Sequence, residues 1–170
     1  ITVVVDDANS DNDFDPVADQ TVSATTTDND VAGFTIAETN GSTSVDESGT
    51  TDTFTVVLNA QPTENVVLSI ASGTVSESTV TPDSITFTTA NWATPQTITS
   101  TGVDDAGIID GSQISQVTVS IVQEASDDSF DTVANQIVSV TTTDDDVPGF
   151  TVTESAGSTQ VDESGTTDTF

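Results

Sequence analysis

The chain has 170 residues, of which 29 are acidic and none is Lys, Arg or His, so its formal net charge is −29. Nucleic-acid binding needs Lys and Arg to displace the counterions of phosphates, so we expect no nucleic-acid partner. Anionic membrane surfaces are excluded for the same reason, and no apolar run approaches the roughly 20 residues that span a bilayer, so we expect no membrane insertion.

The chain has no Cys, which excludes disulfides and thiolate metal sites. Its 34 Thr, 23 Val and seven Phe residues indicate a β-rich globular protein rather than a disordered acidic tail. Runs of period-2 alternation separated by turn signals predict seven strands. The predicted strands, in chain order, are 33–38, 52–59, 65–72, 84–88, 95–102, 114–122 and 136–143. Seven short strands in about 116 residues predict an all-β fold, an Ig-like Greek-key β-sandwich, in which Trp92 caps the core.

The sequence repeats itself at an offset of 116 residues. Residues 1–54 align without a gap on residues 117–170, and 34 of these 54 positions are identical. The sequence VDESGTTDTF occurs at 45–54 and again at 161–170. We therefore expect a window from a longer head-to-tail array of sandwiches. Residues 1–30 would end one repeat, 31–146 would form a complete repeat, and 147–170 would begin the next.

The acidic residues fall where the loops of such a sandwich converge. The loop after the first strand, the loop before the penultimate strand and the end of the last strand meet at one pole. The acidic residues at this pole would be Asp46, Glu47, Asp104, Asp105, Asp110, Asp144, Asp145 and Asp146, with Glu77 in a neighbouring loop.

Like charges gathered in this way need cations, because no basic side chain is present to neutralise them. Ca²⁺ takes six to eight oxygen ligands in irregular geometry, whereas Zn²⁺ prefers His or Cys and Mg²⁺ keeps several waters. The pattern therefore favours Ca²⁺ as the bound ion. Its candidate ligands are Glu47, Glu77, Asp104, Asp105, Asp110, Asp144, Asp145 and Asp146.

Three motifs resemble those of the Calx-β repeat, a Ca²⁺-binding β-sandwich of sodium–calcium exchangers, integrin β4 and large microbial surface proteins. They are VDESG at 45–49, GVDDAGIIDG at 102–111 and TTTDDD at 141–146. The resemblance implies that the Ca²⁺ ligands are Glu47, Asp104, Asp105, Asp110, Asp144 and Asp146. Asp110 stands where the family usually carries Glu, and its side chain is shorter than that of Glu.

A second acidic cluster lies in the last hairpin loop, at the opposite pole. It is SDDSFD at 126–131, with the counterpart SDNDFD at 10–15. In a head-to-tail array, Asp127, Asp128 and Asp131 would meet Asp28 and Asp30 across a junction and hold a bridging Ca²⁺. The alternative is a solvated polar turn.

The connections between repeats are short, which predicts a stiff array. Only residues 31–32 or 147–148 separate the acidic strand end from the next Gly-Phe, and Pro148 restricts the backbone further. The sequence thus predicts a structural Ca²⁺-binding repeat of an extracellular filament, adhesin stalk or cell-surface protein. Its partners would be neighbouring repeats and other copies in a fibre.

Other functions remain open at this stage. A recognition module for a glycan or a protein receptor is the alternative, with an exposed Trp92 as its best platform. A Ca²⁺ sensor with a switching output is a further idea suggested by the resemblance to exchanger domains. We expect no enzyme, because ordinary triads and phosphate clamps need His, Cys, Lys, Arg or Tyr, and the chain contains none of them. A carboxylate pair for glycoside cleavage would need a cleft, and these acids gather at loop ends instead.

Overall fold

The computed structural model describes residues 1–170, apart from the side chain of Ala156. It divides into two compact units, Ile1–Val31 and Ala32–Phe170. The first unit contains one small antiparallel pair, β1 (Thr2–Val3) and β2 (Gln20–Thr21). Among the described residues, no helix is long and apolar enough to cross a membrane.

The second unit contains nine strands. They are β3 (Phe34–Glu38), β4 (Thr43–Asp46), β5 (Thr51–Leu58), β6 (Val66–Ser72), β7 (Ser78–Thr81), β8 (Ser84–Phe87), β9 (Gln96–Gly102), β10 (Gln113–Ile121) and β11 (Gln136–Thr143). They form a five-stranded sheet in the order β4-β11-β10-β6-β8 and a four-stranded sheet in the order β3-β5-β9-β7. All neighbours are antiparallel except β4 and β11, which run parallel.

The core lies between the two sheets and follows the alternation read from the sequence. In β5, for example, Phe54, Val56 and Leu58 are at most 3% exposed. The remaining core residues are Phe34, Val45, Val66, Leu68, Ile70, Ile85, Phe87, Ile98, Val117, Val119, Phe130, Val138 and Val140. The predicted all-β sandwich is confirmed, whereas the tandem arrangement of repeats stays a prediction.

Two strands of the sandwich were not predicted. β4 (TSVD) and β7 (STVT) are four residues each and rich in hydroxyl side chains, so neither has a strong apolar alternation. They form through pairing with distant partners: β4 with the end of β11 and β7 with the end of β9. The prediction of seven strands was therefore wrong in number, because tertiary pairing decided these two segments.

Local structure repeats at the same offset as the sequence. Val3 faces Gln20 in the first unit, as Val119 faces Gln136 in β10 and β11. In residues 147–170 the structure describes no strand, but it has a 3₁₀ turn at Ser155–Gly157 and a further turn at residues 163–165. Nevertheless, the Ser164 N–H donates to Asp162 at 2.8 Å, matching the bond between residues 48 and 46 at 2.9 Å.

Candidate metal centre

Four chain segments meet at the end of the sandwich where β4, β6, β9 and β11 finish. We call this end the acid pole and define it as the β4–β5 turn (46–50), the β6–β7 loop (73–77), the β9–β10 loop (103–112) and residues 144–146 after β11. Parallel pairing brings the ends of β4 and β11 together, with Thr143 opposite Asp46. The acidic residues of all four segments are thereby gathered, as the sequence analysis expected.

Glu47 is held at the centre of this pole by its backbone. Its N–H donates to the carbonyl of Thr143 at 3.1 Å, which ties the β4–β5 turn to the end of β11. The turn also lies directly against Gly102 of β9, where a Cβ atom would stand 2.1 Å from the carbonyl oxygen of Asp46. Only glycine permits this approach, which brings the turn against the end of the opposite sheet.

The acid pole contains five buried carboxylate oxygens without a hydrogen-bond partner among the described residues. They are both oxygens of Glu47, Oε2 of Glu77, Oδ1 of Asp105 and Oδ2 of Asp146. Glu47 is only 1% exposed, so water cannot easily satisfy it. Buried polar groups are nearly always hydrogen-bonded, and a buried carboxylate without a partner is strongly unfavourable. These oxygens make the acid pole the candidate cation site.

The carboxylates form two overlapping groups that share Asp105. One oxygen from each of Glu47, Asp105 and Asp146 lies within 4.8 Å of the others, and the same holds for Glu77, Asp105 and Asp110. The donors are all carboxylate oxygens drawn from four chain segments. This donor set fits a hard cation of high coordination number, and Ca²⁺ is the common biological ion of that kind.

Burial and repulsion raise the pKa values of two of these carboxyl groups. Burial and then the charges of Asp105, Asp144, Asp110 and Glu77 raise the pKa of Glu47 from 4.5 to about 7. Burial is also the main reason that the pKa of Asp105 is raised. A bound cation would offset this repulsion and favour the charged form of both groups.

Three further predicted ligands surround this inner group. Asp144 accepts the Gly111 N–H at 2.9 Å and the Asp146 N–H at 2.8 Å, so it fixes the β9–β10 loop. Asp104 accepts the N–H of Ala106 at 2.7 Å and is exposed. Burial, together with Asp46, Asp104 and Asp146, raises the pKa of Asp145.

Asp46 was placed at the acid pole by the sequence analysis but was not named as a ligand. It carries a charge that acts on Asp145, and it accepts the Ser48 N–H at 2.9 Å. The sequence signal that could have singled out Asp46 was its position directly before Glu47 in VDESG. We assign it to the margin of the site, because hydrogen bonds from the Ser48 side chain and then from its N–H lower the pKa of Asp46, and the N–H bond occupies one of its oxygens.

The cluster in the β10–β11 loop has a different environment. Asp127 is 5% exposed, and its Oδ2 accepts hydrogen bonds from the Thr63 N–H at 2.6 Å, the Thr63 hydroxyl at 2.7 Å and the Glu64 N–H at 3.0 Å. Its Oδ1 accepts the N–H and the hydroxyl of Ser129. These bonds hold its pKa well below the usual range, with Ser129 as the largest cause.

The other members of the proposed junction site are less constrained. Asp128 is exposed at the start of a 3₁₀ turn, and Asp131 has one buried oxygen without a partner among the described residues. Asp28 accepts the Asp30 N–H at 3.0 Å in the first compact unit. A Ca²⁺ ion bridging these residues stays a prediction.

Trp92, the best candidate platform for a sugar, is partly buried and packs against the core. Its carbonyl accepts the Leu58 N–H at 3.2 Å, which ties its loop to the end of β5. Capping the core is consistent with both observations.

No known family model and no curated protein sequence matches the chain. Among solved structures it is similar to the E. coli chaperone DraB, with a TM-score of 0.48 and 10% identity over 70% of this chain and 59% of that one. It thus spans about three fifths of the DraB chain. It is also similar to the PapD-like domain 7 of human CEP192, with a TM-score of 0.44 and 11% identity over 78% of this chain and 97% of that domain. With scores this low, these likenesses assign neither family nor function.

Proposed function

We propose that the chain is a structural Ca²⁺-binding β-sandwich segment of an extracellular filament, adhesin stalk or cell-surface protein. The observation that carries this proposal is the set of five buried carboxylate oxygens without partners, drawn from Glu47, Glu77, Asp105 and Asp146. The chain has no Lys, Arg or His to pair with them. A bound cation is the remaining way to offset their repulsion while they stay charged.

The role of the ion is to join four chain segments that hydrogen bonds already link in part, such as the bond from the Gly111 N–H to Asp144. The acid pole combines the β4–β5 turn, two inter-strand loops and the residues after β11. One ion bound to all four would make the pole rigid. Since Val147 follows Asp146 directly, rigidity at the pole would pass to the chain that follows.

Membership in the Calx-β family is part of this proposal. Its support is the agreement between the three sequence motifs and the geometry: VDESG supplies Glu47, the β9–β10 loop supplies Asp105 and Asp110, and the strand end supplies Asp146. The repeated sequence and the matching local hydrogen bonds 116 residues apart support a tandem array. Neighbouring repeats would then be the principal partners.

A calcium titration of the 170-residue chain tests the site. We expect Glu47→Gln to weaken Ca²⁺ binding by about tenfold or more, because it removes a central charged ligand without changing the size of the side chain. The matched control is Glu163→Gln, which changes the same motif position where the side chain is exposed. Isothermal titration calorimetry measures both. Equal affinities for the native chain and the Glu47→Gln variant would contradict the proposal.

A further inference from the structure

The sandwich is open along the side where strand pairing stops in both sheets. β8 pairs with β6 only as far as Ser84 opposite Ser69, whereas β6 continues to Ser72. In the other sheet β7 is the last strand among the described residues. The end of β6 and the outer edge of β7 therefore both lie open.

A groove of about 360 Å³ lies between these two edges. It is lined by residues 69–72, Val75, residues 79–80 and Asp83. Binding pockets commonly measure about 300 to 1,000 Å³, so this groove has room for a few residues of peptide but not for a folded domain.

The groove exposes backbone groups that can accept another strand. The Val103 N–H donates to the Glu77 carbonyl, so the backbone groups of Glu77 face β9. Backbone groups alternate between the two sides of a strand, so the N–H and C=O of Val80, three residues later, point away from β9. On the facing edge, which belongs to β6, the Ile70 N–H donates to the Asp83 carbonyl at 2.8 Å. By the same alternation, the backbone N–H and C=O of Ser72 point to this side of β6. An added strand could therefore continue the hydrogen-bond ladder.

The side chains and the charge of the groove restrict what can bind there. Val75 is 65% exposed and Val80 is partly exposed, so an apolar side chain could pack against both. Asp83 places an exposed carboxylate in the lining. A second copy of this chain has no Lys or Arg to meet that carboxylate, and two net charges of −29 repel each other.

We propose that this groove binds an extended basic peptide, which adds a strand to the outer edge of β7. An apolar side chain of the peptide packs against Val75 and Val80, and a Lys or Arg pairs with Asp83. The site is a protein-recognition site that shares the β6–β7 loop with the acid pole but uses none of the carboxylates of the pole, and its peptide contacts require no Ca²⁺.

A labelled peptide of sequence Thr-Lys-Val-Thr-Val-Lys-Thr tests this site by fluorescence anisotropy and by amide shifts in NMR spectra of the 170-residue chain. We expect saturable binding, with shifts concentrated in residues 69–83, both with Ca²⁺ and with chelator. Asp83→Asn should weaken binding about twofold to fivefold, because an exposed ion pair contributes little. Glu124→Gln, which makes the same change in net charge at an exposed site, should change it less than about twofold.

Two control peptides separate strand addition from general attraction to an acidic protein. Replacing both Lys residues with Glu should abolish binding, because the acidic chain then repels the peptide. N-methylation of alternate amides should also abolish it, because the peptide then lacks the N–H donors that pair with the edge of β7. No binding of the basic peptide would overturn the proposal. Equal losses in the two variants, binding of the N-methylated peptide, or shifts centred on residues 46–50, 103–112 and 144–146 would also overturn it. Because the peptide contacts need no Ca²⁺, failure here would leave the calcium proposal standing.

Discussion

Glu47 and Glu163 occupy the same position in two identical ten-residue sequences, yet their environments differ completely. Glu47 is 1% exposed and surrounded by other carboxylates, whereas Glu163 is exposed. The sequence around each residue is VDESG, so the difference comes from the loops that cover Glu47. A ligand position is therefore defined by the complete sandwich and not by its motif alone.

The raised pKa of Glu47 makes stability depend on pH when Ca²⁺ is absent. The pKa is about 7 in the folded chain against an ordinary value of 4.5, so the folded state holds this proton more tightly. The resulting stabilisation is present below pH 4.5 and is lost as the pH rises through about 7. In chelator, we expect the native chain to lose stability relative to Glu47→Gln over this interval, as measured by denaturant unfolding.

Comparison with the variant removes the contribution of the other acidic groups, which titrate in both proteins. At saturating Ca²⁺ the order should reverse, and the native chain should be the more stable at neutral pH. A constant difference between the two proteins from pH 4.5 to 7 in chelator would contradict the assigned environment of Glu47.

At the scale of the elements, Asp127 joins two loops that are distant in sequence. It belongs to the β10–β11 loop, and it accepts hydrogen bonds from Thr63 and Glu64 in the β5–β6 loop. In the equivalent residue 116 positions earlier, Asp11, the side chain accepts one local bond among the described residues, from the Asp13 N–H at 3.0 Å. The same motif therefore forms a long-range clamp in one place and a simple turn in the other.

We expect Asp127→Asn to destabilise the chain by about 2 to 3 kcal/mol, because an amide group would face N–H and O–H donors that now meet a charged acceptor. Asp11→Asn is the matched control and should have little effect. Thermal unfolding at neutral pH in chelator measures both variants. If Asp127→Asn lowered the stability only when Ca²⁺ is present, the residue would be a metal ligand and not a clamp.

The edge strand β4 shows how a short, polar segment becomes a strand. Its outer N–H groups are occupied by side chains: Ser44 donates to Asp52 at 2.9 Å and Asp46 donates to Thr50 at 2.7 Å. These bonds cover two of the groups through which an exposed edge would pair with another chain. The same two hydrogen bonds hold the β4–β5 turn, which carries Glu47, so they both protect the strand edge and position the candidate ligand.

For the molecule as a whole, the sequence predicted the sandwich well and its details less well. Alternation located seven of the strands, of which β5 is the clearest because it buries Phe54, Val56 and Leu58. It did not locate β4 and β7, which depend on pairing with distant strands.

The candidate site was predicted to the level of its loops but not to the level of its hydrogen bonds. Topology alone placed Glu47, Asp105 and Asp146 at one pole. Sequence spacing could not show that Asp144 also holds the Gly111 N–H, or that Asp127 is enclosed by donors from Thr63. Both depend on how loops from different parts of the chain fold against each other.

The measurement that tests the central claim most directly is thermal unfolding of the 170-residue chain with Ca²⁺, with Mg²⁺ and with chelator. Binding at about 100 times the dissociation constant adds about 2.7 kcal/mol of stability, which corresponds to roughly 5 to 10 °C for a chain of this size. We predict a shift of this order with Ca²⁺ and a much smaller one with Mg²⁺. Equal midpoints in Ca²⁺ and in chelator would contradict a calcium-stabilised sandwich.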